Sequence, residues 1–167
     1  MRLIKNLVYA LAAMMNLSIA SSEITARPAK TAEPLGTVME VVAQNEKLQT
    51  LSKAISIADM AETLDQMQNI TLFAPTNAAF AQWPDEELGR LFQNKAALTS
   101  LIEFHISEQR ISSREAEQMD YVMTLLGKLA SLDYDGTDLL IDDAKIIVRD
   151  IPASNGVIHV IDTVLEP

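Results

Sequence analysis

The spacing of the hydrophobic residues changes near residue 106, and this change constrains the fold more than any other feature. Before it, apolar residues recur at helical spacing, as in Leu98, Leu101 and Ile102. After it come short apolar or alternating runs separated by polar residues, such as KIIVRDI, which are typical of strands. Helices that precede a series of strands predict an α+β domain and not an alternating parallel sheet.

The helical half is predicted to begin with two amphipathic helices, in TVMEVVAQNE from Thr37 and in LQTLSKAISIADM from Leu48, followed by a third short segment. Thr37 is placed to cap the first of them. Pro84 and the acids behind it are predicted to begin another helix, because proline fits the first turn and acids favour its positive end. Residues 95–104 are predicted to form a longer, buried helix.

The predicted strands of the second half lie in the runs ISEQRIS, YVMTLL, KLASLDY, DLLID, KIIVRDI and VIHVIDTVL. Between them, DYDGTD at 133–138 is predicted to be a hairpin turn, because Asp-Gly adopts positive φ readily. The same letters resemble half of a calcium loop, but the acidic ligand at its far end is missing. Asp142 and Asp143 are interpreted as a solvated turn.

The first 20 residues have the pattern of a secretory signal peptide. Arg2 and Lys5 precede the apolar run LVYALAAMMNLSIA, and Ser18 and Ala20 are small residues suited to cleavage near Ala20. The alternative is a retained amphipathic anchor. Residues 21–35 are predicted to be a flexible leader, and residues 36–167 one folded domain. The protein is therefore expected to be secreted or periplasmic, without stable membrane insertion after cleavage.

The charge and the absence of cysteine exclude several classes of protein. Without residues 1–20 the chain has 11 basic and 23 acidic residues, a net charge of −12, so nucleic-acid binding is not expected. No cysteine is present, which excludes disulfides, thiolate metal sites and thiol catalysis. The sequence also lacks motifs for phosphate loops, dinucleotides, metalloproteases and nucleophile elbows. Neither catalysis nor a cofactor is predicted.

The segment TLFAPTNAAF changes from strand to helix residues at Pro75. A chain that enters a helix needs a fixed bend and an acceptor for the first free N–H groups. Pro75 restricts φ, and Thr76 or Asn77 offers a side-chain oxygen. The segment is interpreted as a structural corner, with a reactive loop as the alternative.

Two histidines are candidates for chemistry. His105 lies between Phe104 and Ile106, an apolar setting that favours a buried hydrogen-bonding role over a general base or a metal ligand. His159 lies in a run that is apolar on both faces of a strand, which predicts a central, covered strand. A zinc site shared by the two histidines would lack a third ligand at recognisable spacing, and no metal is predicted.

Three segments together carry a resemblance to a known family: TLFAPTNAAF, the dipeptide at 104–105, and SNGVIHVIDTVLEP at 154–167. In this order and spacing they resemble the fasciclin (FAS1) domain over nearly all of residues 36–167. Phe104 stands where the family usually has tyrosine, so the aromatic packing is retained and a role for the tyrosine hydroxyl is not. The chain is similar to the small, secreted, single-domain bacterial form.

The resemblance implies a wedge-shaped β-sandwich flanked by helices, in a family of secreted or surface-attached domains that serve mostly in adhesion and are not enzymes. An exported module that binds a protein or polysaccharide partner is therefore the first hypothesis. The alternative is a binding protein for a small apolar ligand, with Met39, Met60 and Met67 lining its pocket.

The motif positions are predicted to be structurally important and to lie near the binding surface. They are Thr76, Asn77, Phe104, His105, Asn155, Gly156, His159 and Asp162. Asn155 and Gly156 are interpreted as a turn that directs the last strand, because both residue types tolerate left-handed backbone angles.

Overall fold

The computed structural model describes residues 35–167, and these form a mixed helix and sheet fold that confirms the α+β prediction. The predicted signal peptide lies outside the described residues, as does the predicted leader apart from Leu35. The division of the chain into signal, leader and domain therefore remains a prediction. Among residues 35–167 no helix combines the length and hydropathy that crossing a bilayer requires.

Seven α-helices and one short 3-10 helix occur in the described part of the chain. They are α1 (Val38–Gln44), the 3-10 helix (Glu46–Leu48), α2 (Gln49–Ile57), α3 (Ala61–Gln66), α4 (Asn77–Phe80), α5 (Asp85–Gln93), α6 (Lys95–Phe104) and α7 (Ser113–Ala116). The predicted helix at 95–104 is confirmed, and Asn94 caps it by accepting from the Ala97 N–H. Thr37 caps α1 through a capping box with Glu40, also as predicted.

The strands are β1 (Ile70–Pro75), β2 (Ile106–Ser107), β3 (Tyr121–Met123), β4 (Leu129–Tyr134), β5 (Leu139–Ile141), β6 (Ala144–Ala153) and β7 (Gly156–Ile161). They form one hydrogen-bonded sheet in the order β2-β1-β7-β6-β5-β4-β3. β1 and β7, the second and third strands in this order, are parallel neighbours, whereas the other pairs are antiparallel. The predicted sandwich is thus one continuous sheet whose two parts face each other.

Two apolar cores lie on opposite faces of the β1–β7 pair. The helix-side core contains Leu72 and Ile158 with the buried residues of α1, α2, α3 and α6. The strand-side core contains Phe73 and Ile161 with the inner side chains of β3, β4 and β5. β6 belongs to both parts, because it pairs first with β5 and then, through two register shifts, with β7.

The segment ISEQRIS is not a full strand, and this corrects the sequence interpretation. Only Ile106 and Ser107 pair with β1, after which the chain leaves the sheet and forms α7. The capping box of Ser112 and Glu115, in which both reciprocal hydrogen bonds are present, stabilises this short helix. That pair of residues was the sequence signal for α7.

The predicted hairpin at DYDGTD is confirmed, since β4 and β5 pair across it and Gly136 has φ +94°. Asp142, in the turn between β5 and β6, is more than a solvated acid. It has φ +48° and is partly buried, and its carboxylate accepts from both the N–H and the hydroxyl of Ser131. The side chain thereby continues the β4 edge beyond the end of β5.

Candidate functional site

The corner after β1 contains a helix cap and a separate anchor. The Thr76 hydroxyl accepts from the Ala79 N–H at 3.1 Å and so caps α4. Asn77 is the first residue of α4 and bonds elsewhere: its Oδ1 accepts from the Thr50 N–H at 2.9 Å, and its Nδ2 donates to the Glu46 C=O at 2.8 Å. The corner therefore attaches α4 to the 3-10 helix and α2.

His105 joins the end of α6 to the C-terminal segment. The residue is 1% exposed, and its Nδ1–H donates to the Leu101 C=O at 2.7 Å. Its Nε2 accepts from the Leu165 N–H at 3.0 Å, which assigns the neutral tautomer with the proton on Nδ1. Both ring nitrogens are thus engaged by backbone groups.

The surroundings of His105 favour the neutral imidazole. Burial lowers the pKa of His105 from 6.5 to about 4, and the hydrogen bond to Leu101 opposes this with a smaller effect. A protonated ring would place a second N–H against the Leu165 N–H. The nitrogen lone pair that a metal or a substrate proton would need is already occupied.

His159 has the same role with the opposite tautomer. Its Nε2–H donates to the Ile111 C=O at 2.9 Å, and its Nδ1 accepts from the Asp150 N–H at 3.2 Å. The ring stacks on Phe73, with centroids 5.8 Å apart, and burial lowers the pKa of His159. It lies in a strand that is buried along its whole length, as predicted, and ties that strand to the loop before α7.

Asn155 connects three elements from a buried position. Its Oδ1 accepts from the Val38 N–H at 2.8 Å, at the start of α1. Its Nδ2 donates to the C=O groups of Leu64 at 2.8 Å and Met67 at 3.2 Å, at the end of α3. These bonds satisfy backbone groups that helix ends leave unpaired.

The left-handed interpretation of Asn155 and Gly156 is wrong. Neither residue is among those with positive φ, although a turn does precede β7. Gly156 is required by close packing: a Cβ at this position would lie 2.2 Å from the Ile70 carbonyl oxygen and 2.9 Å from Ile70 Cγ1. The parallel β1–β7 pair could not approach this closely with a side chain there.

Asp162 and Phe104 complete the predicted set. Asp162 follows β7, and its Oδ1 accepts from the Lys145 N–H at 2.9 Å, which continues the pairing of β6 with the end of β7. Phe104 is buried in the strand-side core. It also forms part of the wall of a cavity near the chain's C-terminal residues.

This cavity has a volume of about 740 Å³. It lies between the start of β4, the β5–β6 turn and residues 163–167, and its lining is mixed in polarity. The charged residues of its lining are three acids, Asp142, Asp143 and Glu166, and one base, Lys128. Of the predicted motif residues, Phe104 is the one that lines this cavity.

The structure does not assemble the predicted residues into a reactive centre. Each of the two imidazoles binds two backbone groups. Within residues 35–167 no group of three or more histidine, aspartate or glutamate side chains is arranged to hold a metal ion. The methionines of the small-ligand alternative lie elsewhere: Met39 and Met60 are buried in the helix-side core, and Met67 packs against it.

Sequence reasoning missed Asp150, which holds the start of α7 against β6. Asp150 has φ +56°, and its carboxylate accepts from the N–H and the hydroxyl of Ser113. Its own N–H donates to His159. Asp150 lies in an irregular part of β6, where the pairing with β7 shifts register. A single aspartate in a predicted strand gives no sign of this irregularity.

Comparison with known proteins gives one consistent result. A family model described as the fasciclin domain matches residues 46–167. Protein sll1483 of Synechocystis sp. is 35% identical over 78% of this chain and 73% of its own length. Transforming growth factor-beta-induced protein ig-h3 of Sus scrofa is 31% identical over 80% of this chain, which spans 20% of that protein. A solved FAS1 domain pair from the insect cell adhesion molecule Fasciclin I superposes with a TM-score of 0.69 at 17% identity, covering 80% of this chain and 52% of that one.

Proposed function

Because the chain belongs to the fasciclin domain family, we propose that it is an exported module that binds a protein or polysaccharide partner in cell adhesion or surface association. The family is non-enzymatic and related to adhesion, so the chain is a non-enzymatic member of it. Export through cleavage of residues 1–20, to the periplasm or the medium, is part of the proposal.

The proposal rests on the hydrogen-bond partners of the motif side chains. Asn77, His105, Asn155 and His159 each donate to or accept from backbone groups of this same domain. A side chain whose polar atoms are used inside the fold has little left to offer a partner. Recognition therefore belongs to the outer surface, and the motif residues act by keeping that surface in shape.

The cavity beside Phe104 is the proposed contact region. Its acidic residues outnumber its single lysine, and the whole chain has a net charge of −10. A cationic protein segment, or an anionic polysaccharide held through divalent ions, complements this charge. Screening by salt should weaken such binding.

The charge of the cavity can be reversed without touching its structural bonds. Asp143 and Glu166 are exposed, and neither makes a side-chain hydrogen bond within residues 35–167. The Asp143→Lys/Glu166→Lys protein should lose binding to a surface coated with a cationic polypeptide and keep its melting temperature. Asp65→Lys/Glu87→Lys, on exposed helix positions, is the control with the same charge change.

The test in cells compares attachment of a deletion strain, its parent and strains complemented with each variant. We expect the deletion and the cavity variant to attach less at low salt, and the control variant to restore attachment. Equal attachment by all strains on every surface and at every salt concentration would contradict the proposal. If the two double variants were equally impaired, the contact region would be wrong.

A further inference from the structure

The two edge strands of the sheet, β2 and β3, differ in burial and in backbone hydrogen bonding. At the β2 edge, Ile106 and Ser107 are buried, and the Ile106 C=O accepts from the Leu125 N–H at 2.7 Å. At the β3 edge, Tyr121 is 60% and Met123 50% exposed, next to Leu129 of β4 at 58%. We name Tyr121, Met123 and Leu129 the β3 edge patch. Exposed apolar side chains on an open strand edge favour pairing with another strand.

The backbone of β3 is also open on this side. The bonded pairs between β3 and β4 include Asp120 with Leu132, at 2.8 Å, and Thr124 with Lys128, at 2.9 Å. Tyr121 and Met123 occupy the alternate positions, opposite Ser131 and Leu129, so their N–H and C=O groups point away from β4. Nothing else within residues 35–167 bonds to these groups.

We propose that β3 pairs with β3 of a second copy of this chain, antiparallel about a two-fold axis through Val122. In this register Tyr121 of one copy stands opposite Met123 of the other. Each such pair exchanges both of its N–H···O=C bonds, and the axis generates a second pair. All outward backbone groups of the two strands are then satisfied, and both copies use the same surface, as in a two-fold dimer.

The side chains of the β3 edge patch complement themselves in this register. A tyrosine ring lies beside a methionine thioether on each side of the axis, a favourable contact of polarisable sulfur with an aromatic ring. Leu129 of each copy flanks the pair on the same face, because it stands opposite Met123 within its own chain. Cross-strand pairs of this kind are the unit that stabilises antiparallel strands.

Charge supports the same register. Asp120 of one copy comes opposite Thr124 of the other, whose neighbour within its own sheet is Lys128. Two strand spacings of about 4.8 Å each separate the backbone of Asp120 from the backbone of Lys128, a distance that the two side chains together can bridge. Two such contacts form across the axis. The net charge of −10 on each chain opposes association, so the dimer should strengthen as salt rises.

The interface is small, since each three-residue strand contributes less than a standard protein interface buries. The dimer is accordingly weak in dilute solution and favoured where copies are crowded on a surface. Salt should strengthen this dimer, whereas it should weaken binding of the proposed cationic partner.

Sedimentation velocity of the protein expressed from its full sequence tests the proposal over about a hundredfold range of concentration. We expect the weight-average mass to rise toward twice the monomer value, and to rise earlier at high salt. In Tyr121→Lys/Met123→Lys, lysines face lysines across the axis, and the mass should stay at the monomer value. In Tyr121→Lys/Met123→Glu, opposite charges face each other in the same register, and dimer formation should return.

The matched control is Ile147→Lys/Val148→Lys, because these residues are 47% and 46% exposed and lie on β6. This variant removes a similar apolar surface and adds the same charge as the double-lysine variant at the edge, and it should dimerise like the unaltered protein. A protein that stays monomeric over the whole range, or a double-lysine edge variant that still dimerises, would overturn the inference. Failure of the lysine–glutamate variant to dimerise would do the same. No partner is present in these measurements, so they leave the proposed adhesion function to its own test.

Discussion

The β1–β7 pair and the β3–β4 hairpin belong to one sheet but use their residues in opposite ways. Every residue of β1 and β7 is buried, whereas β3 alternates between exposed and buried positions. The β1–β7 pair is fixed by packing on both faces, and the hairpin has one face free for other contacts. The buried motif residues of β1 and β7 therefore maintain the shape of the domain, whereas β3, which lies outside the motif, presents an accessible face.

Gly156 offers the most severe test of the close packing of the β1–β7 pair. Gly156→Ala should lower the free energy of unfolding by about 3 kcal/mol, because the new Cβ would meet the Ile70 backbone carbonyl 2.2 Å away. Chemical denaturation measures the change. Gly89→Ala is the control, since a Cβ there meets nothing within 4 Å, and it should stabilise α5 by about 1 kcal/mol. Equal effects of the two substitutions would refute the close-packing argument.

Asn155→Ala should have the next largest effect. It removes the partners of the Val38 N–H and the Leu64 and Met67 C=O groups, so about 2 to 3 kcal/mol of stability should be lost. Asn94→Ala, which removes only an exposed cap of α6, should cost about 1 kcal/mol. Hydrogen exchange should show faster opening of α1 and α3 in the Asn155 variant alone.

The two buried histidines of the motif predict that the stability of the domain depends on pH. The folded-state pKa of His105, about 4, lies below its unfolded value of 6.5, so the unfolded chain takes up a proton first as the pH falls. Stability is therefore complete above pH 6.5 and is lost progressively down to about pH 4. Between pH 7 and pH 5 the loss from His105 should be about 2 kcal/mol.

The measurement is the free energy of unfolding at both pH values, for the unaltered protein and for His105→Gln. The variant should be less stable at pH 7 but show a smaller drop by pH 5. His159, whose pKa is also lowered, should account for the drop that remains. Identical pH profiles in the two proteins would argue against the buried neutral imidazole.

The smallest effect is expected on the open face of the hairpin. Leu129→Lys should change the free energy of unfolding by less than about 0.5 kcal/mol, because the side chain is 58% exposed. Leu132→Ala, on the buried face of the same strand, should cost about 3 kcal/mol. If Leu129→Lys proved as damaging as Leu132→Ala, the contrast between the two faces would be lost.

Local patterns in the sequence were sufficient to predict much of the fold. The helix at 95–104 and the cap at Thr37 follow from spacing and from one hydroxyl, both of which act within a few residues. The hairpin at Gly136 follows from turn chemistry of equally short range. The short helix α7 was missed because the apolar ends of ISEQRIS were given more weight than its capping residues.

The roles of Asn155 and Gly156 could not be predicted because their partners are distant in sequence. Nothing near Asn155 indicates that it bonds to Val38 and Leu64, or that Gly156 must lie against Ile70. The same holds for Asp142 and Ser131, which meet only after β4 and β5 have paired. Single-sequence reasoning identified Asn155 and Gly156 as important, but the three-dimensional contacts supply the reasons.

The parallel pairing of β1 with β7 has a consequence for the time course of folding. Ile70 pairs with Gly156 and Pro75 with Ile161, so β1 has no parallel partner until residues 156–161 have been synthesised. Contacts this far apart along the chain slow folding, because a long loop must close before the pairing stabilises it.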